Sequence, residues 1–375
     1  MIVSILSEHF QKKLLFANHA ISNRSQLPIL LNFLLVAKKG TLSVNATDLE
    51  IGIITESPAN IQEEGEVAVS AKTFLELIQT IPQQKITLST IKEGLELKGE
   101  KIKTVFQTIP AADFPKLYEE KGREILSIDE KEMERVFSRT VFSTSTDSSR
   151  PALTGVLLKR TSGEKDFIAV TTDGYRLSFI KKSLGKEKKH GSAEDLSLII
   201  PSRVIREVIL MGKESGEIRA FVSKEKNQII FSQNETTIVG RLIEAEYPQY
   251  EKIIPKDHST KSVFDKEEMK SAVKACYIFA RETANIVKMS ILRDKIVVSA
   301  NAPAVGDNSI EVSCKTEGEE NEVAFNARYL LDLFLNTEAE DMSFEMTGPL
   351  NPGVFRIIGD NSFFHLIMPI RIQQG

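Results

Sequence analysis

The pattern of apolar and polar positions repeats three times along the chain and predicts the same elements in each copy. Every copy opens with a short apolar strand that leads into an amphipathic helix. The strands lie at 1–6, 125–128 and 262–264, and the helices begin near His9, Glu132 and Glu268. Apolar residues at Phe10, Leu14 and Ala17 show the spacing of three and four residues that buries one face of a helix.

The middle of each copy alternates β-branched and polar residues, which predicts paired antiparallel strands. In the first two copies this stretch contains a Thr-Asp pair, Thr47-Asp48 and Thr172-Asp173, and the pairs lie 125 residues apart. A looser third stretch begins at Lys295.

The last shared feature is an apolar strand that enters a shorter second helix. Ser70 and Asn326 are suited to the N-cap of this helix, and Ser202 is suited to it in the central copy. A cation follows near the start of each helix, at Lys72, Arg203 and Arg328. A single cation on a helix face means little, but the same register in three copies indicates a shared basic surface.

The repeat defines a domain triplication of the α+β class. The 375 residues give copies of about 125 residues, a size that suits one core and is too long for a solenoid repeat. Strands outnumber the two helices per copy, which favours antiparallel sheets. We place the domains at 1–122, 126–253 and 257–375, with linkers rich in proline and tyrosine between them.

The composition, 41% apolar and 27% charged, is that of a soluble globular protein. The N-terminus does not have the pattern of a signal peptide, and no apolar run is long enough to span a bilayer. Only two cysteines occur, Cys276 and Cys314, so we expect buried thiols and a reducing cytoplasm rather than disulfides.

Charge alone does not identify a partner. The net charge of −4 is an average and does not exclude a basic face. One segment is rich in lysine, at Lys181, Lys182, Lys186, Lys188 and Lys189. A solvated loop is the simpler interpretation of this segment, and capture of an acidic partner is the alternative.

No catalytic motif is present, and we expect no catalytic centre, metal or cofactor. The five histidines are scattered, and the phosphate-binding, nucleophile-elbow and zinc-protease patterns do not occur. An enzyme that uses Asp48, Glu50 and Asp173 for metal-dependent hydrolysis is the alternative. The simpler explanation is that aspartate in Thr-Asp-Leu and Thr-Asp-Gly forms a turn.

The apolar C-terminal segment Phe363–Ile372 is unusual, because chain ends are commonly polar. It is either a buried final strand or part of an exposed binding groove. The residues alone favour the strand.

Taken in order, several short motifs resemble the bacterial sliding clamp family, the beta subunit of the replicative DNA polymerase. They are Leu27-Pro-Ile-Leu, Thr47-Asp-Leu-Glu, Pro110-Ala-Ala-Asp-Phe-Pro, Thr172-Asp-Gly-Tyr-Arg-Leu, Tyr247-Pro-Gln-Tyr and Met368-Pro-Ile-Arg. The resemblance spans the whole chain. It implies three repeated clamp domains, each with two helices packed on antiparallel sheets, and two chains that close head to tail as a ring around duplex DNA.

The resemblance also implies a function without catalysis. The ring would tether DNA polymerases, the clamp loader and repair proteins to the template through short apolar peptides. A protein-interaction scaffold of the same fold that does not bind DNA is a further alternative.

Three sets of residues follow from the resemblance. The DNA-binding set is Arg24, Lys72, Arg203 and Arg328. The homodimer interface would bring Phe106 against Ile278 and Phe279 of the other chain, although all three also suit an ordinary core. The peptide-binding groove would comprise Leu153, Thr172, Gly174, Tyr175, Arg176, Leu177, Pro248, Ile253, Asn326, Tyr329, Leu350, Leu366, Ile367, Met368, Pro369, Ile370, Arg371 and Ile372. This groove favours the second interpretation of the C-terminal segment.

The chain departs from the family pattern in three places. Pro151 and Ala152 stand where many relatives have aromatic residues, which puts DNA contact by this loop in doubt. Tyr175 takes a position often held by histidine. The tail at 373–375 extends past the common end and would lie over the groove.

Overall fold

The structure, a computed structural model, describes residues 1–22, 27–118, 120–161, 166–183, 195–213, 215–223 and 227–371. The predictions for Arg24, Ile372, the lysines at 186, 188 and 189 and the tail at 373–375 lie outside these residues. Six α-helices occur in the described part: α1 Ser7–Ala17, α2 Ala71–Thr80, α3 Glu130–Val141, α4 Ser202–Met211, α5 Lys266–Ala280 and α6 Ala327–Leu335.

The described residues form 26 strands. They are β1 Ile2–Leu6, β2 Asn32–Lys38, β3 Thr41–Thr47, β4 Ile51–Pro58, β5 Asn60–Glu63, β6 Gly65–Ser70, β7 Lys85–Ile91, β8 Gly94–Lys98, β9 Lys103–Phe106, β10 Thr108–Ile109, β11 Arg123–Asp129, β12 Gly155–Arg160, β13 Asp166–Thr172, β14 Arg176–Ser183, β15 Leu196–Pro201, β16 Glu217–Ser223, β17 Gln228–Gln233, β18 Thr236–Arg241, β19 Thr260–Asp265, β20 Ile286–Ile291, β21 Lys295–Ala302, β22 Gly306–Gly318, β23 Asn321–Asn326, β24 Asp341–Met346, β25 Gly353–Ile357 and β26 Asp360–Ile367.

The predicted order of elements in each copy is confirmed. β1–α1, β11–α3 and β19–α5 are the opening strands and helices, and β6–α2, β15–α4 and β23–α6 are the strands that enter the second helices. The helices form because their apolar positions share one face. In α2, for example, Ala71, Phe74, Leu75 and Ile78 are the buried residues.

The helix caps match the prediction only in part. Asn326 caps α6, because its side chain accepts a hydrogen bond from the Arg328 amide at 3.0 Å. Ser70 occupies the N-cap position of α2 but makes no side-chain capping bond. The prediction for Ser202 is wrong by one residue, since α4 begins at Ser202 itself.

The chain divides into two compact units that do not coincide with the sequence copies. One comprises Met1–Met133 with Arg203–Leu242, and the other comprises Glu134–Ser202 with Ile243–Gly375. The central copy therefore contributes residues to both units. None of the helices in the described part of the chain is long and apolar enough to cross a membrane.

The first unit contains two antiparallel sheets within its described residues. One has the order β5-β1-β7-β8-β9, and the other has the order β10-β6-β2-β3-β4-β18-β17-β16-β11. The second sheet crosses from the first copy to the central copy at β4 and β18, where Ile53 lies opposite Ile238. α1 and α2 contact each other through Phe10 and Phe74, whose ring centroids are 5.9 Å apart.

The second unit contains one series of twelve strands in its described residues, in the order β15-β12-β13-β14-β26-β25-β24-β19-β22-β21-β20-β23. It crosses from the central to the last copy at β14 and β26, where Leu177 lies opposite Leu366. The long strand β22 belongs to two ladders, because Gly306–Ser313 pairs with β21 and Cys314–Gly318 pairs with β19.

The two cysteines are free thiols, as expected. Cys276 is buried in α5, and burial raises its pKa to about 11. Cys314 is half-buried, and burial also raises its pKa. Both thiols therefore stay protonated and unreactive near neutral pH.

Candidate functional site

The floor of the candidate site is a buried apolar cluster in the second unit. Leu177 and Leu366, which face each other across β14 and β26, are both fully buried in it. The other buried members are Ala152, Leu157, Val170, Ile199, Tyr250, Val354 and Phe364. Half-buried apolar side chains, among them Phe179, Tyr247 and Met368, pack against this cluster.

Exposed apolar residues stand around this floor. Tyr175 is 60% exposed, Leu350 57% and Ile253 43%, and Pro248 is also exposed. Large apolar side chains that remain open to solvent beside a buried apolar floor are typical of a surface that binds an apolar ligand.

The C-terminal segment forms one edge of this surface. β26 ends at Ile367, and the next residues, Met368–Ile370, are half-buried. The Met368 amide donates to the Tyr175 carbonyl at 2.8 Å, and the Ile370 amide donates to the Ala324 carbonyl at 2.8 Å. The segment is thus a buried strand up to Ile367, as the first interpretation predicted, and a partly open edge from Met368 to Ile370.

Arg176, the first residue of β14, is buried among protein partners. Its guanidinium donates to Asp332 Oδ2 at 2.6 Å, to Asp173 Oδ2 at 3.0 Å and to the Phe142 carbonyl at 3.0 Å. It also lies over the Tyr329 ring, with the guanidinium carbon 4.5 Å from the centroid. These contacts fix the position of the Arg176 guanidinium. Arg176 and the Tyr329 ring that lies against it form one wall of the candidate site.

The Tyr329 hydroxyl stays protonated near neutral pH. Burial and the nearby Asp173 carboxylate raise the pKa of this phenol. Tyr329 therefore offers a neutral hydroxyl and an aromatic face.

The Thr-Asp pairs are turn formers. Asp173 Oδ1 accepts from the amides of Tyr175 and Arg176 at 2.9 and 3.0 Å. Asp48 Oδ1 accepts in the same way from Glu50 and Ile51, at 3.0 and 2.9 Å. Across the described residues, no group of three His, Cys, Asp or Glu side chains is placed to hold a metal ion.

Three further residues of the predicted groove have structural roles within the chain. Thr172 is buried and donates its hydroxyl to the Arg176 carbonyl at 2.6 Å. Gly174 adopts a φ of +94°, in the left-handed region that glycine tolerates best. Leu153 is buried in a short 3-10 turn, and its carbonyl accepts from the Ser145 amide at 2.8 Å.

Eight residues of the floor and its wall were absent from the predicted set. Asp332 holds Arg176, and the other seven belong to the floor: Ala152, Leu157, Val170, Ile199, Tyr250, Val354 and Phe364. The motif at Tyr247–Tyr250 was a signal for Tyr250. Burial raises the pKa of Tyr250 to about 12, so its hydroxyl is neutral. Asp332 left no local signal, since it lies 156 residues from Arg176 along the chain.

A buried polar network lies under the floor. The Ser143 hydroxyl contacts Thr171 Oγ1 at 2.8 Å and donates to Ser178 Oγ at 2.7 Å, and Ser178 Oγ is 2.8 Å from His365 Nδ1. His365 is fully buried. Burial, together with the charge of Arg176, holds the pKa of its imidazole well below the ordinary value.

The three cations of the repeat are exposed at the second position of their helices, but their partners differ. Arg203 pairs with Asp48 and donates to the His19 carbonyl at 2.9 Å. Arg328 donates to the Tyr277 hydroxyl at 2.9 Å. In the described part of the chain, no carboxylate is within ion-pair distance of Lys72.

The three residues expected at the dimer interface differ in their exposure to solvent. Phe106 is only 7% exposed and packs edge-on against Phe74 at 5.1 Å, which fits the core interpretation. Ile278 is 53% exposed and Phe279 is half-buried, so these two present apolar surface.

Comparisons with known proteins match the whole repeat. Three family models fit in order: the N-terminal domain of the DNA polymerase III beta subunit over residues 1–118, its central domain over 127–249 and its C-terminal domain over 251–371. The chain therefore belongs to the DNA polymerase III beta subunit family, whose members are non-catalytic.

Relatives and solved structures agree with this assignment. The beta sliding clamp of Staphylococcus aureus is 27% identical, with 99% of each chain covered, and that of Chlamydia pneumoniae is 26% identical, with 94% of each covered. The fold is that of the Bacillus subtilis DNA polymerase sliding clamp (TM-score 0.93, 23% identity, 99% of each chain). It is also that of the Pseudomonas aeruginosa DNA polymerase III beta subunit (TM-score 0.92, 24% identity, 99% and 100%). The three-domain α+β prediction is confirmed.

Proposed function

We propose that the chain is a DNA sliding clamp that closes as a head-to-tail homodimeric ring around duplex DNA. It would act as a processivity factor that tethers the replicative polymerase, the clamp loader and repair proteins. The observation that carries this proposal is a strand pairing that recurs between successive copies and leaves equivalent strand edges open at the two ends of the repeat.

The recurrent pairing joins the strand after a three-residue turn to the last strand of the next copy. β4 follows the turn at 48–50 and pairs with β18, and β14 follows the turn at 173–175 and pairs with β26. The two pairings involve corresponding ends of the strands. The first residue of each strand, Ile51 or Arg176, is opposite a residue near the end of the last strand, Gly240 or Ile367.

The corresponding strand of the last copy is β22, which follows a three-residue turn at 303–305. Within the described residues, its Gly306–Ser313 half pairs with β21 alone. In the first copy, the strand that corresponds to β18 and β26 is β9, the terminal strand of its sheet. A second chain would pair with both open strand edges, because β22 of one chain would add to β9 of the other and form backbone hydrogen bonds with it.

Apolar surface at both edges supports this contact. Val105 on β9 is 41% exposed, and Val305 and Ile278, beside the start of β22 and at the end of α5, are 56% and 53% exposed. The contact joins two different surfaces, so two chains close it as a ring of six domains. It would include Phe106, Ile278 and Phe279.

The DNA-binding set would be Lys72, Arg203 and Arg328, with Arg24 added by the resemblance. Cations at one helix position in every copy suit a duplex that is held by its phosphates without regard to sequence. Such contacts permit sliding, because they carry no base readout.

The partner site would be the groove built on the Leu177 and Leu366 floor. We retain the full predicted set: Leu153, Thr172, Gly174, Tyr175, Arg176, Leu177, Pro248, Ile253, Asn326, Tyr329, Leu350, Leu366, Ile367, Met368, Pro369, Ile370, Arg371 and Ile372. A buried apolar floor with exposed apolar residues around it suits short peptides that insert two or three apolar side chains.

We retain the domain boundaries at 1–122, 126–253 and 257–375, which the three family models at 1–118, 127–249 and 251–371 support. A protein that acts on bacterial chromosomal DNA would work in the cytoplasm.

Sedimentation velocity and retention on circular DNA test the ring. We expect a particle of twice the chain mass that stays on nicked circular DNA after loading and is released when the circle is cut. Val105→Glu should give monomers, whereas Ile91→Glu, 36% exposed on the same sheet, should remain dimeric. A native chain that is monomeric at micromolar concentration would contradict the proposal.

A further inference from the structure

The second unit contains a cleft of mixed polar and apolar lining beside the candidate groove. Its volume is about 1120 Å³, which is large for a surface cleft. The lining residues are Thr283, Ile286, Lys288, Ser299, Ala300, Asn301, Asp307, Asn308, Ser309, Leu350 and Arg371. Most of them lie on β20, β21 and β22, on the face opposite the buried residues Val287 and Val298.

The lining differs in chemistry from the groove. Lys288, Ser299 and Ser309 lie opposite one another across three neighbouring strands. Asn301 and Asp307 form the next cross-strand pair. Hydroxyl, amide and charged groups on one sheet face suit a hydrophilic chain better than an apolar one.

The cleft is continuous with the groove through two shared residues. Leu350 and Arg371 line the cleft and also belong to the groove set. Arg371 follows Ile370, whose amide is tied to Ala324 on β23, so the border between the two surfaces is fixed by a backbone hydrogen bond.

Charge is separated across the cleft. Arg371 is exposed beside β23, and Lys288 lies on the adjacent β20, with Nζ 2.7 Å from Glu322 Oε2. Asp307 lies on β22, three strands from β23 and therefore about 14 Å away. A ligand carboxylate is thus attracted at the groove end of the cleft and repelled at the far end.

We propose that this cleft binds the acidic, polar flank of the same partner segment whose apolar residues occupy the groove. A flanking carboxylate pairs with Arg371 and competes with Glu322 for Lys288, and the hydroxyls and amides bind the polar backbone beyond it. This inference rests on the proposed peptide-binding function and deepens it, because it assigns the flank a sign of charge.

Fluorescence anisotropy with three synthetic peptides tests the proposal on the full-length dimer. Each peptide carries the apolar core Leu-Leu-Ser-Leu-Leu-Phe, flanked at both ends by Asp-Asp-Glu, Ser-Ser-Ser or Lys-Lys-Lys. We expect the acidic flank to bind about fivefold more tightly than the serine flank, the size of one or two exposed ion pairs, and the lysine flank to bind most weakly.

Lys288→Glu should remove the preference for the acidic flank and leave affinity for the serine-flanked core unchanged. The matched control is Lys295→Glu, a strand lysine with an equivalent ion pair to Glu311 at 2.7 Å that does not line the cleft. It should keep the preference.

Three outcomes overturn the proposal. The first is that the native chain shows no preference for the acidic flank, and the second is that Lys288→Glu and Lys295→Glu lose this preference equally. The third is that deletion of 373–375 raises the affinity for all three peptides, which would mean that the chain's own tail fills the cleft. If the serine-flanked core itself fails to bind, the proposed groove is wrong as well, so the two failures are distinguishable.

Discussion

The Arg176 guanidinium donates to Asp332 Oδ2 at 2.6 Å and thereby joins the start of β14 to α6. The arginine side chain is 9% exposed and the aspartate side chain 41%. The same guanidinium lies over Tyr329, so this ion pair fixes the aromatic wall of the proposed groove.

We expect Asp332→Asn to destabilise the chain by about 1–2 kcal/mol, because a buried cation loses one of its two carboxylates. Binding of an apolar probe peptide should also weaken several-fold as Tyr329 loses its support. Denaturant unfolding and fluorescence anisotropy measure the two effects. Glu338→Gln, an exposed acid that follows α6, is the control, and an equal effect there would refute the role of Asp332.

Gly353 should not tolerate a side chain. A Cβ at this position would lie 2.5 Å from Phe344 Cε2 and 2.6 Å from Phe325 Cζ. Gly353→Ala should therefore cost about 1–3 kcal/mol and weaken peptide binding, because Gly353 pairs with Ile367 at the end of β26. Gly348→Ala, whose nearest contact would be an ordinary 3.6 Å, should be close to neutral in thermal unfolding.

Met368→Ala should weaken peptide binding about tenfold and leave the dimer intact. The side chain is half-buried against the apolar floor, and its loss removes contact area without touching a sheet edge. Anisotropy and sedimentation measure binding and assembly. Ile358→Ala, 48% exposed in the turn before β26, is the control and should bind normally. Unchanged peptide affinity of Met368→Ala, or of a chain truncated after Ile367, would show that the groove is misplaced.

Substitution of Lys72 and of Arg203 should have different effects on stability, because the two cations have different partners. Lys72→Glu should weaken retention on circular DNA and reduce its salt dependence, with little change in stability. Arg203→Glu should weaken retention and also destabilise the fold, since Arg203 pairs with Asp48 and bonds the His19 carbonyl. Lys92→Glu, an exposed lysine between β7 and β8, is the control. Equal retention by all three variants would favour a scaffold that does not hold DNA.

His365 should make stability fall in mild acid. Its folded-state pKa is held well below the ordinary value by burial and by Arg176. The unfolded chain therefore takes up a proton as the pH falls through about 6.5, whereas the folded chain does not. The neutral His365 therefore makes its full contribution to the free energy of unfolding above that pH. Below it the contribution is lost, and the loss is about 1 kcal/mol at pH 5.5.

The comparison is between unfolding free energies at pH 7.5 and 5.5, at one protein concentration. The native chain should lose about 1 kcal/mol more than His365→Asn, whereas the exposed His9→Asn should behave as the native chain does. An equal pH dependence of the native chain and His365→Asn would contradict the assignment.

Periodicity was enough to predict the repeated elements, because each helix and strand buries one face and the sequence records that face directly. Phe10 and Leu14 in α1, for example, are fully buried as their spacing requires. The turn role of Asp48 and Asp173 was also predictable, since an aspartate turn is built from residues two and three places away.

Long-range relationships were not predictable from local patterns. The pairing of Arg176 with Asp332 and of Ser178 with His365 joins residues more than 150 positions apart. Similarly, the three cations share one position in the sequence, but only the fold shows that Arg203 has an aspartate partner. The cap prediction for Ser202 was wrong because the preceding strand continues through Pro201 and the helix begins at Ser202 itself.

The strand pairings β4–β18 and β14–β26 have a practical consequence for dissection of this protein. A fragment cut at the sequence boundaries between copies would expose a severed strand edge at each former crossing, and such edges invite aggregation. The smallest pieces that keep those crossings whole would have to be assembled from discontinuous stretches, as in Met1–Met133 with Arg203–Leu242. Co-expression of complementary pieces is therefore a sounder route to partial proteins than expression of one repeat alone.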